Sequence, residues 1–271
     1  MSTIVYLRTE LEKQWKKDDV FSLLQTISGE IYRDKEGRRT LRFERDSHSY
    51  FLKYHQGVGW GEIVKNLIQL RAPVISAKNE WQAVEFLRAN NIDTMTVAAY
   101  GERGNNPATK HSFIVTDDLV DTMSLEDLGQ QWRESPPTFE TKIALINKLA
   151  IISKVMHEQG MNHRDYYLCH FLLDNSFAKT NKFNADTPLF LIDLHRAQLR
   201  KKTPERWLVK DLSGLYFSAL DVALTQHDLF RFMKAYSGLS LRTLLRQQKS
   251  FWFKVEKRAL KMRDKSLNHG R

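Results

Sequence analysis

The chain has 271 residues, enough for a sizeable core and two lobes but short for two fully independent domains. Lys and Arg number 42 against 32 Asp and Glu, a net charge of +10 that points to a partner bearing phosphates or carboxylates. One cysteine, Cys169, excludes an internal disulfide, charges at Arg8, Glu10, Glu12 and Lys13 exclude a secretory signal, and no window approaches the roughly 18 uninterrupted apolar residues of a membrane span. The expectation is a cytoplasmic protein that meets a membrane only at its surface.

Taken in order, the first 119 residues read mostly as strands. GEIYRDKEGRRTLRFE has β-rich ends around a polar middle with Glu36-Gly37, which predicts a hairpin. SHSYFLKYH places Tyr50, Leu52 and Tyr54 on one face and Phe51 and Lys53 on the other. Helical patterns follow over Glu62–Leu70 and Lys78–Asn90, the second with Trp81, Val84 and Leu87 on one stripe. MTVAAYGERG and HSFIVTDDL then predict two more strands, giving a five-strand sheet with at least one helix against it. Beyond Leu119 the pattern turns helical. Ser124 opens one helix, SPPTFE breaks the chain, and an apolar-periodic segment from about Thr141 to Gln159 closes at Gly160. The short apolar strands HFLL and LFLID bracket a polar loop, Asp174 to Pro188, and helical patterns run to the end.

The chemistry lies in the order of single residues along these elements. A hairpin with Gly is followed by a strand with an inward Lys53, a helix with Glu80, a strand pair, a long helix, the His163-Arg164-Asp165 loop, and an apolar strand ending in Asp193, 28 residues after Asp165. Protein-kinase-like folds present their catalytic groups in this order. The expected fold is therefore α+β and two-lobed: a small, mostly antiparallel β-sheet lobe with a helix over residues 1–119, and a larger, mainly α-helical lobe over 120–271. Lys53 would meet the α and β phosphates of ATP, with Glu80 holding Lys53 through an ion pair. Asp165 would orient the acceptor hydroxyl and take its proton, and Asp193 would carry Mg2+. Positioning and charge neutralisation lower most of the barrier to phosphoryl transfer, which is why these roles are divided among separated residues. The segment Asp117-Asp118-Leu119 would join the lobes, with main-chain groups of Asp117 and Leu119 on adenine; solvent-facing or helix-capping side chains are the alternative.

Details depart from the protein-kinase pattern. His170 stands where those kinases carry a metal-binding Asn, Asp193 opens Asp-Leu-His rather than Asp-Phe-Gly, and no Ala-Pro-Glu follows. A sugar or other small hydroxyl thus fits better than a protein acceptor. His170 reads either as a magnesium-side or phosphate-side contact or as simple packing. Cys169-His170 with His163 and His195 does not have the spacing of a structural zinc site. HRAQLRKKTPERW supplies Arg196, Arg200, Lys201 and Lys202 as candidate acceptor contacts, against the alternative of a solvated basic face. Asp211 is expected to cap a helix under the catalytic loop.

The stretches GWGEIVKNL, PVISAKNEW, TMTVAAYGERGNNPATKHSFIVTDDL, MNHRDYYLCHFLL and IDLHRAQLRKKTPERWLVKDLSGLYFSALDVALTQHD carry a closer resemblance, to the lipopolysaccharide core heptose(I) kinase family of Gram-negative bacteria. That resemblance covers roughly Gly29 to Tyr236. It implies ATP-dependent phosphorylation of the first heptose of the inner core, on the cytoplasmic face of the inner membrane. In it Asp165 matches the catalytic Asp, and Lys53, Glu80 and Asp193 fall on ATP and metal positions. Competing readings are a protein (tyrosine) kinase or other small-molecule kinase, and a non-catalytic basic binding module; no nucleic-acid motif supports binding of that kind. From Leu239 to Arg271 ten Lys or Arg face only Glu256 and Asp264, a net of +8. A single amphipathic helix is predicted over Leu239–Lys265, touching an anionic membrane surface or a small acidic protein.

Overall fold

The computed structural model describes residues 2–15, 18–35, 37–68, 74–180 and 182–269. The chain forms two compact units: one holds Met1–Phe86, Met95–Val120 and Leu194–Arg196, the other Leu87–Thr94, Asp121–Asp193 and Ala197–Arg271.

The first unit is built on an antiparallel sheet of six strands rather than the expected five. The strands are β1 (Thr3–Leu7), β2 (Glu30–Lys35), β3 (Arg38–Arg45), β4 (His48–His55), β5 (Val97–Arg103) and β6 (His111–Asp117), in the order β1-β5-β6-β4-β3-β2. The unexpected strand is β1, which pairs with β5 from Thr3↔Arg103 to Leu7↔Ala99. Two short helices after it, α1 (Thr9–Trp15) and α2 (Val20–Thr26), are also not apparent in the sequence pattern. They bury Leu11, Trp15, Phe21 and Leu24 against Leu41, Leu52, Tyr54, Phe113 and Val115. Period-two alternation makes this possible: Tyr50, Leu52 and Tyr54 all face that core, as expected. The opposite face meets α4 (Lys78–Ala89), where Ala77 and Trp81 pack on Ile114 and the Trp81 ring stacks on Tyr100 at 4.6 Å. Gly37 of the predicted hairpin turn has φ +69°, and Glu36 lies outside the described residues. The helix expected over Glu62–Leu70 is α3 (Gly59–Ile68); positions 69 and 70 lie outside the described residues.

The second unit is mainly helical. Its elements are β7 (Thr122–Ser124), α5 (Leu125–Glu134), α6 (Phe139–Glu158), β8 (Met161–Asn162), β9 (Phe171–Asp174), α7 (Asn175–Thr180), β10 (Phe190–Leu191), β11 (Gln198–Leu199), α8 (Glu205–Ala219), α9 (Gln226–Ser237), α10 (Leu241–Gln247) and α11 (Lys249–His269). Ser124 caps α5 as expected, its hydroxyl accepting from Asp127 N at 3.1 Å. The long helix begins earlier than Thr141 because Thr138 is its cap. The apolar strands are shorter than predicted: His170 ends a 3-10 turn and β9 starts at Phe171, while only Phe190–Leu191 of LFLID pair. The loop from Asp174 to Pro188 contains α7, whose entry is tied by Asp174 accepting from Ser176 N at 2.8 Å. The predicted single C-terminal helix is divided at Gln248 into α10 and α11, because Ser240 caps the first and Gln248 closes it. Among α5, α6, α8, α9 and α11 lies an apolar cavity of about 390 Å3 lined by residues such as Leu128, Trp132, Leu149, Leu212, Phe232 and Trp252.

Gly160 ends α6 with φ +97°, and a Cβ there would run into the Arg200 carbonyl. Both the left-handed conformation and the close approach require glycine. Gly160→Ala is expected to destabilise the protein by about 2 kcal/mol or more, read as a lower urea midpoint with ordinary solubility; an unchanged midpoint would contradict the packing described.

Candidate active site

In the first unit, alternation along β4 puts Lys53 on the face covered by α4, and Lys53 Nζ donates to Glu80 Oε1 at 2.7 Å. Glu80 is 1% exposed, and its Oε2 has no hydrogen-bond partner among the described residues. A buried carboxylate needs such a cation, since an uncompensated charge there costs several kcal/mol. Neighbouring Trp81, stacked on Tyr100, fixes the helix that carries Glu80. At the end of β6, Asp117 N donates to Thr96 O at 2.9 Å, and the Asp117 carboxylate receives a bidentate pair from Arg8 at 2.7 and 2.8 Å. That partner holds the Arg8 pKa above its ordinary value. Asp118 is taken by Arg42 at 2.6 Å and by the Ser49 hydroxyl at 2.8 Å. The side chains of Asp117 and Asp118 therefore brace this segment; they neither project freely to solvent nor cap the next helix. Arg196 is half-buried on a 3-10 turn, Leu194–Arg196.

In the second unit the His163-Arg164-Asp165 loop is held from below by Asp211 of α8. The Asp211 carboxylate is fully buried and accepts from His163 N at 2.6 Å and Arg164 N at 2.8 Å, with His157 Nε2 at 3.5 Å. It thus braces the loop itself, which corrects the expectation that it caps a helix. His163 is fully buried and its Nε2 lies 3.0 Å from Ile192 O, next to Asp193. Arg164 and Asp193 both sit in the left-handed region, at φ +78° and +60°, a strain seen where function dictates backbone shape. His170 connects the two acids: its Nδ1 is 2.7 Å from Asp165 O and its Nε2 is 3.6 Å from Asp193 Oδ2. Tyr166 is buried with its hydroxyl 2.8 Å from Ser153 Oγ, and burial pushes its pKa up. Cys169 is half-buried and its thiol is pushed up to about 11 by burial, so it stays protonated. No group of three or more His, Cys, Asp or Glu side chains among the described residues is arranged to hold a metal ion.

Lys201 and Lys202 are exposed, whereas Arg200 is half-buried and donates to Asn162 Oδ1 and, at 2.5 Å, to Gln198 Oε1. The sequence did not single out Trp207, yet Arg164, Arg200, Arg206 and Lys210 all lie within 5.2–5.7 Å of its ring centroid.

This fold and arrangement define a protein-kinase-like phosphotransferase. A model of the lipopolysaccharide kinase (Kdo/WaaP) family matches residues 22–236, and the chain belongs to that family. It is 45% identical over 264 residues to the lipopolysaccharide core heptose(I) kinase WaaP of Pseudomonas aeruginosa, covering 97% of each chain. It is 43% identical over 267 residues to the enzyme of the same name from Escherichia coli K12, covering 98% of this chain and all of that one. A solved structure of WaaP in complex with acyl carrier protein matches with a TM-score of 0.82 and 42% identity, over 95% of this chain and 98% of that chain.

Burial lowers the pKa of two imidazoles, His55 to about 3 and His163 by direction. A folded pKa below the unfolded value of about 6.5 means that the unfolded chain binds the proton more readily. The stability this confers is complete above about pH 6.5 and declines as pH falls toward 3. His55→Gln should flatten the fall of Tm with acidification over that interval; a slope equal to wild type would contradict the burial argument.

Proposed function

We propose that this chain transfers the γ-phosphoryl group of ATP, with Mg2+, to a hydroxyl of the first heptose of the lipopolysaccharide inner core. The observation that carries the reading is the Asp165–His170–Asp193 arrangement on a loop held by buried Asp211, within a chain 43–45% identical to heptose(I) kinases. The residues present suit the nucleotide and metal. Mg2+ at such sites takes one or two carboxylates together with substrate phosphates, so Asp193 suffices as the protein ligand. ATP with its metal supplies the phosphoryl group and the leaving oxygen. Lys53, steadied by Glu80, contacts phosphates, and the main chain of Asp117 and Leu119 receives the adenine. Asp165 orients the heptose hydroxyl and accepts its proton, while His170 keeps the Asp165 loop in register with Asp193. Residues 1–119 serve nucleotide binding and residues 120–271 catalysis and acceptor binding, with Arg196, Arg200, Lys201 and Lys202 on the acceptor side.

The acceptor is a lipid-linked sugar, so a membrane surface belongs to the same reading: the protein works peripherally on the cytoplasmic face of the inner membrane. No helix among the described residues is long and apolar enough to cross a membrane. Arg206, Lys254, Lys257, Arg258 and Lys261 line a basic groove on α8 and α11, and Phe253, Leu260 and Leu267 are exposed at seven-residue intervals along α11. An amphipathic basic face of this kind suits an anionic lipid interface. A small acidic partner such as an acyl carrier protein is supported by the net charge of +10 and by the apolar cavity, which offers an alkyl chain a place out of water.

Asp165→Asn is expected to lower kcat about 100-fold or more while Mg2+-dependent ATP binding persists, since an amide cannot take the proton. Asp193→Ala should instead weaken ATP binding only when Mg2+ is present. Turnover assays with lipopolysaccharide lacking the phosphate, with mass spectrometry locating the new phosphate on heptose, check both; near-normal turnover by the Asn variant refutes the base assignment. On vesicles containing anionic lipid, binding should weaken steeply as salt rises, and reversal of Lys254, Lys257, Arg258 and Lys261 to Glu should weaken it further. Co-sedimentation indifferent to both would remove the membrane role.

A further inference from the structure

Four cations are gathered round one indole. Trp207 has Arg206 at 5.2 Å from its ring centroid, Arg164 at 5.3 Å, Lys210 at 5.5 Å and Arg200 at 5.7 Å. Arg206 and Lys210 come from α8 with Trp207 itself, Arg200 follows β11, and Arg164 adjoins Asp165. The ring face attracts each cation, and that attraction is modest. Among the described residues no carboxylate bonds Arg200, whose partners are the neutral amides of Asn162 and Gln198. The acid nearest in sequence, Glu205, is committed to Lys254 at 2.7 Å. Burial, and after it the neighbouring Arg206 charge, lower the Arg200 pKa from its ordinary value. Asn162 is fully buried, accepts from Arg200 at its Oδ1, and has its Nδ2 donor with no hydrogen-bond partner among the described residues. A buried donor left unmade is destabilising, and an oxyanion at Arg200 would meet guanidinium and amide donors together.

We infer that the Trp207 cluster is an anion subsite that takes a carboxylate or phosphate group of the acceptor. This rests on the acceptor reading above and deepens it, naming Arg206, Trp207, Lys210 and Asn162 beside Arg200. Arg164 directly precedes Asp165 in the chain, so the cluster and the proposed base share one loop. The subsite thereby sets which sugars are accepted: a heptose attached to an acidic residue is held by both ends, whereas a neutral heptoside is held only by its own hydroxyls. Trp207 supplies the apolar surface beside which the Arg200 and Arg206 guanidinium groups lie.

The test uses the full-length protein and two soluble acceptors, a fully deacylated inner-core oligosaccharide and a neutral alkyl heptoside, so that lipid contacts play no part. The readout is the ratio of kcat/KM for the two. Wild type should prefer the acidic oligosaccharide, and Lys210→Glu, Arg200→Gln and Trp207→Leu should each lower the ratio about 10-fold or more. Methyl esterification of the sugar carboxylates, compared with enzymatic removal of the phosphates, shows which anion is read: the modification that abolishes the wild-type preference identifies it. Thermal melts and ATP KM distinguish a folding defect, and Asn162→Asp, which places a negative charge at Arg200, should lower the ratio without removing bulk. A ratio unchanged in all these variants overturns the subsite while leaving heptose phosphorylation standing. Absence of phosphate on either acceptor with wild type would instead overturn the underlying reading.

Discussion

One buried carboxylate determines the geometry of the candidate catalytic loop. Asp211 has no exposure to water and spends its two oxygens on the main-chain N–H groups of His163 and Arg164, with His157 alongside. A charge in such a place is tolerated only when its lone pairs are filled, so the loop has little freedom to depart from one conformation. That conformation includes Arg164 in the left-handed region, which a loop without this anchor would abandon. Asp165 is presented by a backbone fixed on its N-terminal side by α8 and on its C-terminal side by His170, whose ring reaches both the Asp165 carbonyl and the Asp193 carboxylate.

The first unit solves a similar problem differently. Lys53 and Glu80 meet because strand alternation and helix placement agree: β4 gives its even-numbered aromatic and aliphatic residues to the α1–α2 core and turns Lys53 to the other face. Trp81, one residue beyond Glu80, stacks on Tyr100 and pins α4 to that same face. Packing and ion pair are thus parts of one arrangement, and losing the aromatic stack would move the carboxylate away from its lysine. At the end of β6 the pairing of Arg8 with Asp117 and Arg42 with Asp118 ties three strands at one corner, which leaves main-chain groups rather than side chains to serve a ligand there.

Much of the candidate site is legible in the sequence because kinase chemistry needs particular residues in a particular order. Lys53, Glu80, Asp165 and Asp193 can be picked out from spacing and from the elements carrying them, although each alone is an ordinary charge. His170 is visible as a departure from the protein-kinase pattern, but its two contacts are not. The role of Asp211 is misread from local pattern. An Asp ahead of a Leu-rich helix segment resembles a cap, whereas Asp211 sits inside α8 and bonds a loop nearly fifty residues earlier. Trp207 gives no signal, since a tryptophan among basic residues reads equally as core or surface.

What the sequence determined by itself were the properties that depend on neighbours along the chain. These include the alternation that faces Lys53 away from the main core, the cap at Ser124, the helix stop at Gly160, and the excess of positive charge in the last 33 residues. Tertiary structure alone decided the pairing of β1 with β5, the clasp of Asp211 on the catalytic loop and the gathering of four cations round Trp207. Those features join segments far apart in the chain, from Arg164 to Lys210 and from Thr3 to Arg103. Local periodicity and turn chemistry carry no information about such meetings; they are fixed only when packing brings distant surfaces together and buried polar groups must find partners.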